Sequence, residues 1–266
     1  MPDSGMIRVL VALVVLLSVV SLVAGHYALK CRARRYQRDI LARWPVRTVP
    51  LEALDPIFTP TPLGPTLETE VRFVGRGTGV PGGTSDAEAW VLAVLAGRSR
   101  AMFEFGTCTG KTAYLWARNA PADAEIVTFT LAPGQVGAYS TEGGDDARDV
   151  RHALQESAFD RFLYTGTDAE SRIVQLYGDS KAFDESPYLE RFDLVFVDGS
   201  HAYSYVRSDS EKALRICRPG GLVLWHDYSG SRHCPGVFRA LNELARRVPL
   251  VHICDTTFVA CRKPSA

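Results

Sequence analysis

The sequence predicts an α/β fold, a mostly parallel sheet with helices on both faces, carried behind one N-terminal transmembrane helix. Three observations lead there. From residue 85 to residue 248, short apolar runs alternate with helical stripes, the pattern of parallel strands joined by crossover helices. Polar residues gather where the runs stop, at Glu104, Asp179, Asp198, His201, His226 and Asp227, and sheets of this kind bind ligands at the carboxyl ends of their strands. Residues 9–25 form a stretch of 17 without a charge, dominated by Val and Leu. With its neighbours from Ile7 this stretch is long enough for a bilayer, which needs roughly 17–25 residues.

At 266 residues and 46% hydrophobic content, the chain can bury one full core. A formal net charge of zero provides no field to gather nucleic acid, so none is expected as a partner. The six cysteines include no C-x-x-C pair, which argues against a zinc framework or redox motif and for a reducing compartment.

The chain opens on the apolar span 7–25. Arg8 is the one basic residue before residues 9–25, whereas Lys30, Arg32, Arg34, Arg35 and Arg38 follow. The positive-inside bias then anchors the protein in the bilayer as a single-pass chain with its bulk in the cytoplasm. The competing reading is a cleaved signal peptide, whose usual marks are a shorter apolar core and a small-x-small exit. Cys31, beside the membrane, reads as a free thiol or a palmitoylation site. Residues 26–81 read as a basic juxtamembrane segment and a Pro- and Gly-bearing linker that becomes an irregular lead-in. Ser85 and Glu88 have the spacing of a capping box ahead of the apolar residues 90–95, so a helix starts there.

Residues 101–105 form a buried strand that stops at Gly106, and from Gly110 the pattern turns helical. Such a turn brings backbone N–H groups and a helix N-terminus to one sheet edge, and glycine lets a nucleotide-like ligand approach the backbone. Further strands are expected at 125–131, 172–177, 192–197 and 222–225. Residues 132–171 are polar, weakly helical and long for a connection, either a lid over the site or a surface loop. Val206, Ala213, Leu214 and Cys217 mark one helical stripe; Val237, Ala240, Leu241, Leu244, Ala245 and Val248 mark another. Residues 250–254 and 257–261 are joined too tightly for a helix between them, which makes them an antiparallel pair.

Together, Glu104-x-Gly106-x-x-x-Gly110, Gly178-Asp179-Ser180, Val197-Asp198-Gly199-Ser200-His201 and Arg218-Pro219-Gly220-Gly221 before Trp225-His226-Asp227-Tyr228 resemble the class I S-adenosylmethionine-dependent methyltransferases. The most similar branch carries V-D-G-x-H and H-D strand ends. The resemblance covers roughly residues 82–262 and implies a Rossmann-like, seven-stranded sheet closed by a C-terminal antiparallel hairpin. It implies that Glu104, Gly106, Thr107 and Gly110 meet the methionine and ribose part of S-adenosylmethionine. Thr130 stands in the ribose position, Asp179 meets the adenine amine with Ser180 beside it, and Asp198 lies at the site mouth. In metal-using relatives such as the catechol O-methyltransferases, the corresponding strand ends hold magnesium. Here those positions are Asp198, Asp227 and His226, so magnesium or another divalent cation is implied, with the histidine atypical for magnesium. The implied reaction is O-methylation of a small hydroxylated acceptor, sugars included, at the cytoplasmic membrane face. His201 or His226 would serve as base, with Asp198 and Asp227 holding a metal or orienting the imidazole; the alternative leaves both histidines as turn caps.

Two positions depart from that pattern. The middle glycine of the turn is Cys108, which suits a negative φ. The strand-two acid that would accept both ribose hydroxyls is Thr130, whose hydroxyl makes one uncharged bond where a carboxylate makes stronger, charge-assisted ones. Glu142 or Asp145 in the following segment are candidate substitutes, and a catalytically degenerate, membrane-tethered binding domain is the alternative function. Gly110-Lys111-Thr112 also resembles the end of a P-loop, but Phe105 stands where that loop needs its first glycine, so an NTPase is the weaker alternative.

Overall fold

A computed structural model describes residues 4–35, 45–75 and 82–265. Its centre is one sheet of eight strands in the order β1-β7-β8-β6-β5-β2-β3-β4. The strands are β1 (Arg47–Val49), β2 (Ala101–Phe105), β3 (Glu125–Thr130), β4 (Ile173–Tyr177), β5 (Phe192–Val197), β6 (Cys217–Trp225), β7 (Val251–Ile253) and β8 (Val259–Arg262). Only β8 runs antiparallel to its neighbours, β6 and β7, as the tight C-terminal link requires. Along each central strand successive side chains point to opposite faces. Met102, Leu194, Phe196 and Leu224 therefore pack under α2 (Asp86–Gly97) and α3 (Lys111–Asn119). Phe103, Phe105, Val195, Val197 and Trp225 pack under α5 (Tyr203–Ile216) and α6 (Pro235–Leu244).

The seven-strand expectation is corrected by β1, which adds a parallel edge to β7. It lies in the segment read as linker, much of which is part of the packed body. Val46, Val49, Leu54 and Phe58 are buried, the Phe58 ring meets Trp90 edge-on at 5.4 Å, and Trp90 Nε1 donates to the Thr69 carbonyl at 3.0 Å. Residues 36–44, with Arg38, and residues 76–81 lie outside the described residues.

The segment 132–171 carries α4 (Ala147–Glu156), whose N-cap Asp146 accepts from Arg148 N. It is docked on the start of α5. Tyr139 Oη and Ser200 Oγ are 2.6 Å apart, Ser140 N donates to Tyr205 Oη at 3.0 Å, and Asp145 accepts from both Ser204 N and Ser204 Oγ. At the other end of the chain, α1 (Ser4–Arg35) contains the one span among the described residues long and apolar enough to cross a membrane. That span is Gly5–Cys31, within which an 18-residue stretch has a mean hydropathy of 2.8 and none of it is buried.

Candidate active site

The turn between β2 and α3 depends on its glycines for different reasons. Gly106 has φ +101°, and a Cβ there would stand 2.1 Å from the Asp198 carbonyl oxygen. Only glycine lets the ends of β2 and β5 approach this closely. At Gly110, φ +76°, a Cβ would strike Tyr164 Cε1 at 2.6 Å and Phe162 Cβ at 2.9 Å. This glycine makes room for the chain after α4. Cys108 overturns the expectation of a negative φ: it sits at +44°, in the left-handed region, which costs a non-glycine residue roughly 1–2 kcal/mol. Its thiol is pushed up to about 12 by burial and so stays protonated.

Beneath the turn, Glu104, Thr128 and Gln175 lie side by side across β2, β3 and β4. Thr128 Oγ1 donates to Glu104 at 2.6 Å and lies 2.8 Å from Thr107 Oγ1, which accepts from Gln175 Nε2 at 3.1 Å. Burial pushes the Glu104 carboxyl up to about 8 against the opposing Thr128 bond. Glu104 and Thr107 thus brace the turn from below.

Above it opens a cleft lined by the ends of β2, β3, β4 and β5 together with residues of α4 and α5. The fold brings Gly106, Thr130, Asp179, Ser180 and Asp198 to its wall; Glu104, Thr107 and Gly110 are not among its lining residues. Neither proposed substitute for the strand-two acid reaches it. Glu142 pairs with Lys181 at 3.0 Å and Arg207 at 3.3 Å, and Asp145 is held by Ser204. The lining acids that sequence reasoning missed are Glu156 of α4 and Asp209 of α5, joined by Tyr139 and Tyr205. A signal for Glu156 was present in its spacing from His152, one helical turn away, with a 3.3 Å contact between them.

Beside the cleft the four residues from the ends of β5 and β6 converge. Asp227 has φ +61°, which turns its carboxylate back onto two imidazoles. His201 Nε2 lies 2.9 Å from Asp227, and His226 Nδ1 lies 2.9 Å from Asp198 and 3.3 Å from Asp227. A fifth member comes from α2: Glu88 Oε2 is 3.5 Å from His226 Nε2, while its other oxygen accepts from Thr257 N at 2.7 Å. The capping box seen in the sequence is formed, so Glu88 both starts its helix and closes the cluster. Burial works against every charge here, but mutual contact outweighs it for most. Glu88 is held down at about 2 chiefly by His226, Asp227 is held well below the carboxylate range by both histidines, and His201 and His226 are raised well above the usual imidazole range. Both rings are therefore imidazolium at neutral pH. Asp198 is the exception, raised by burial and by Asp227 despite His226. The donor atoms of Asp198, His226 and Asp227 lie within 4.8 Å of one another, as do those of His152, Glu156 and His201.

Residues 103–228 match the family model described as a methyltransferase domain. That span contains the glycine turn, the cleft-lining strand ends and all four cluster residues from β5 and β6. Among solved structures the chain is similar to the O-methyltransferase TomG from Streptomyces achromogenes, involved in tomaymycin synthesis and in complex with SAM (21% identity, 68% of this chain and 82% of that chain, TM-score 0.43). It is also similar to the O-methyltransferase from Bacillus cereus in complex with SAH (18% identity, 69% and 84%, TM-score 0.45). A third is the SAH-bound methyltransferase PaMTH1 from Podospora anserina (18% identity, 68% and 80%, TM-score 0.45). No curated protein sequence matches the chain.

Proposed function

From the match of residues 103–228 to a methyltransferase-domain model, we propose transfer of the methyl group of S-adenosylmethionine to an oxygen of a small hydroxylated acceptor, sugars included. The observation that carries this reading is the position of Asp198, which lines the cleft and touches the charged cluster beside it. Methyl transfer from a sulfonium is an in-line displacement: the acceptor oxygen forms the new C–O bond while the C–S bond breaks and its electrons stay on sulfur. The acceptor hydroxyl must lose its proton, and a carboxylate with a raised pKa is suited to take it. Asp198 has that property, whereas His201 and His226 are already protonated. The base role expected of an imidazole therefore passes to Asp198, with His226 orienting it and Asp227 orienting His201.

The donor set Asp198, Asp227 and His226 fits a borderline divalent cation better than magnesium, since one donor is an imidazole nitrogen. His226 would have to give up its Nδ1 proton to serve. Such a cation, when bound, lowers the pKa of a coordinated hydroxyl. Glu104 and Thr107 hold the turn, Gly106 lets the strand ends close, and Thr130 offers the ribose one uncharged bond. That weak contact is also the observation that favours a second reading, cofactor binding without turnover. The apolar helix α1 would hold the domain at the cytoplasmic face of a membrane.

The test is transfer of labelled methyl from S-adenosylmethionine by the full chain in detergent to a panel of sugars, phenols and hydroxy acids. Asp198→Asn should lower the rate by at least about 100-fold with cofactor binding kept. Methylation of nitrogen but not oxygen acceptors, or an unchanged Asp198→Asn rate, contradicts the proposal; binding with no turnover on any acceptor favours the second reading.

A further inference from the structure

We infer that Asp209 of α5, and not Asp179, is the residue that accepts the amino group of the cofactor's adenine. The inference rests on S-adenosylmethionine occupying the cleft. Asp209 is 2% exposed and lines that cleft, yet its Oδ1 has no hydrogen-bond partner among the described residues. A buried polar atom left without a partner is costly, and native structures seldom keep one without a reason. The Ser180 hydroxyl bonds the Asp209 carboxyl, and the two nearby cations are committed elsewhere. Lys181 Nζ donates to the Ser140 carbonyl at 2.9 Å and to Glu142 at 3.0 Å; Lys212 Nζ reaches the Phe183 carbonyl and Glu185.

The acid expected to read adenine is in the opposite condition. Asp179 Oδ1 accepts from Lys181 N at 3.0 Å, and Asp179 hydrogen-bonds the Tyr205 hydroxyl, which in turn accepts from Ser140 N. Its work is to shape the turn after β4. Tyr205 and Asp209 are one helical turn apart on α5, so both face the cleft from the same side. The stacked rings of Tyr139 and Tyr205, 4.3 Å apart, and the side chains of Phe129 and Leu131 give that end of the cleft walls suited to a flat base. A base lying there with an exocyclic amine supplies the N–H that Asp209 lacks. Burial, which raises the Asp209 carboxyl to about 7, is then answered by a bond that favours the ionised form.

The test compares S-adenosylhomocysteine with S-inosylhomocysteine, in which oxygen replaces the amine, as ligands of the full chain in detergent by calorimetry. The wild type should prefer the adenosyl form by about 10–100-fold, the range of a lost hydrogen bond to a charged group. Asp209→Asn should erase or reverse that preference, because its amide NH2 can donate to the inosyl oxygen, and Asp209→Ala should erase it if the first variant fails to fold. Asp179→Asn should leave the ratio unchanged. Equal wild-type affinities, or a preference that survives in the Asp209 variants, overturns the assignment. Binding of neither compound by the folded wild type overturns the cofactor reading and this assignment with it.

Discussion

Burial raises the Glu104 carboxyl from an ordinary 4.5 to about 8 against the Thr128 bond, so the folded chain keeps a proton there that the unfolded chain releases above 4.5. Where the native state binds more protons, stability falls as pH rises. The contribution of Glu104 is thus present below pH 4.5 and is lost between pH 4.5 and about 8. At about 1.4 kcal/mol per pKa unit the loss is no more than about 5 kcal/mol. Glu104→Gln, which keeps the shape and cannot ionise, should flatten that decline when urea unfolding is compared at pH 5, 6.5 and 8. Parallel pH profiles for wild type and variant would show that Glu104 does not carry the proton. The strand-end motif placed Glu104 at the ligand. The two-residue pleat, which sets Glu104 on the Met102 face and away from Phe103 and Phe105, was legible in the same five residues and points it under α3. Asp209 and Glu88 gave no such signal, because what matters in each is the loss of water around a side chain, which no local pattern records.

Elements with a period were legible, and elements too short to have one were not. Residues 101–105 and 192–197 coincide with β2 and β5, and the stripes after residues 201 and 234 are α5 and α6. The three residues of β1 cannot show alternation, and the surrounding prolines read as linker. The burial of Phe58 and Leu54 and the Thr69–Trp90 bond set the limit of the folded unit upstream of residue 82. A fragment spanning 45–266 should therefore unfold cooperatively, while one spanning 82–266 should be less stable by at least about 3 kcal/mol, the cost of removing one large buried aromatic. Equal denaturation midpoints would mean that residues 45–75 merely rest on the domain. The segment 132–171 raised a choice between lid and loop. Its bonds to Ser200, Ser204 and Tyr205 tie it to the start of α5, and its Glu156 lines the cleft.

At the scale of the whole molecule, the proposal that α1 anchors the protein through its exposed Gly5–Cys31 span carries an orientation with it, because the basic residues after the span would hold the domain on the cytoplasmic side. Protease added to intact spheroplasts should spare the domain, and protease added after lysis should degrade it. Digestion of the domain in intact spheroplasts would reverse the orientation. The claim on which the rest depends is that the cleft holds S-adenosylmethionine with its ribose at Thr130. The most direct measurement is titration of S-adenosylhomocysteine into the full chain and into Thr130→Asp, which restores a carboxylate where a hydroxyl stands. The account predicts saturable one-to-one binding by the wild type and binding roughly tenfold tighter by the variant, since charge-assisted bonds replace a neutral one. No binding by the folded wild type, or the same affinity in both proteins, would contradict it.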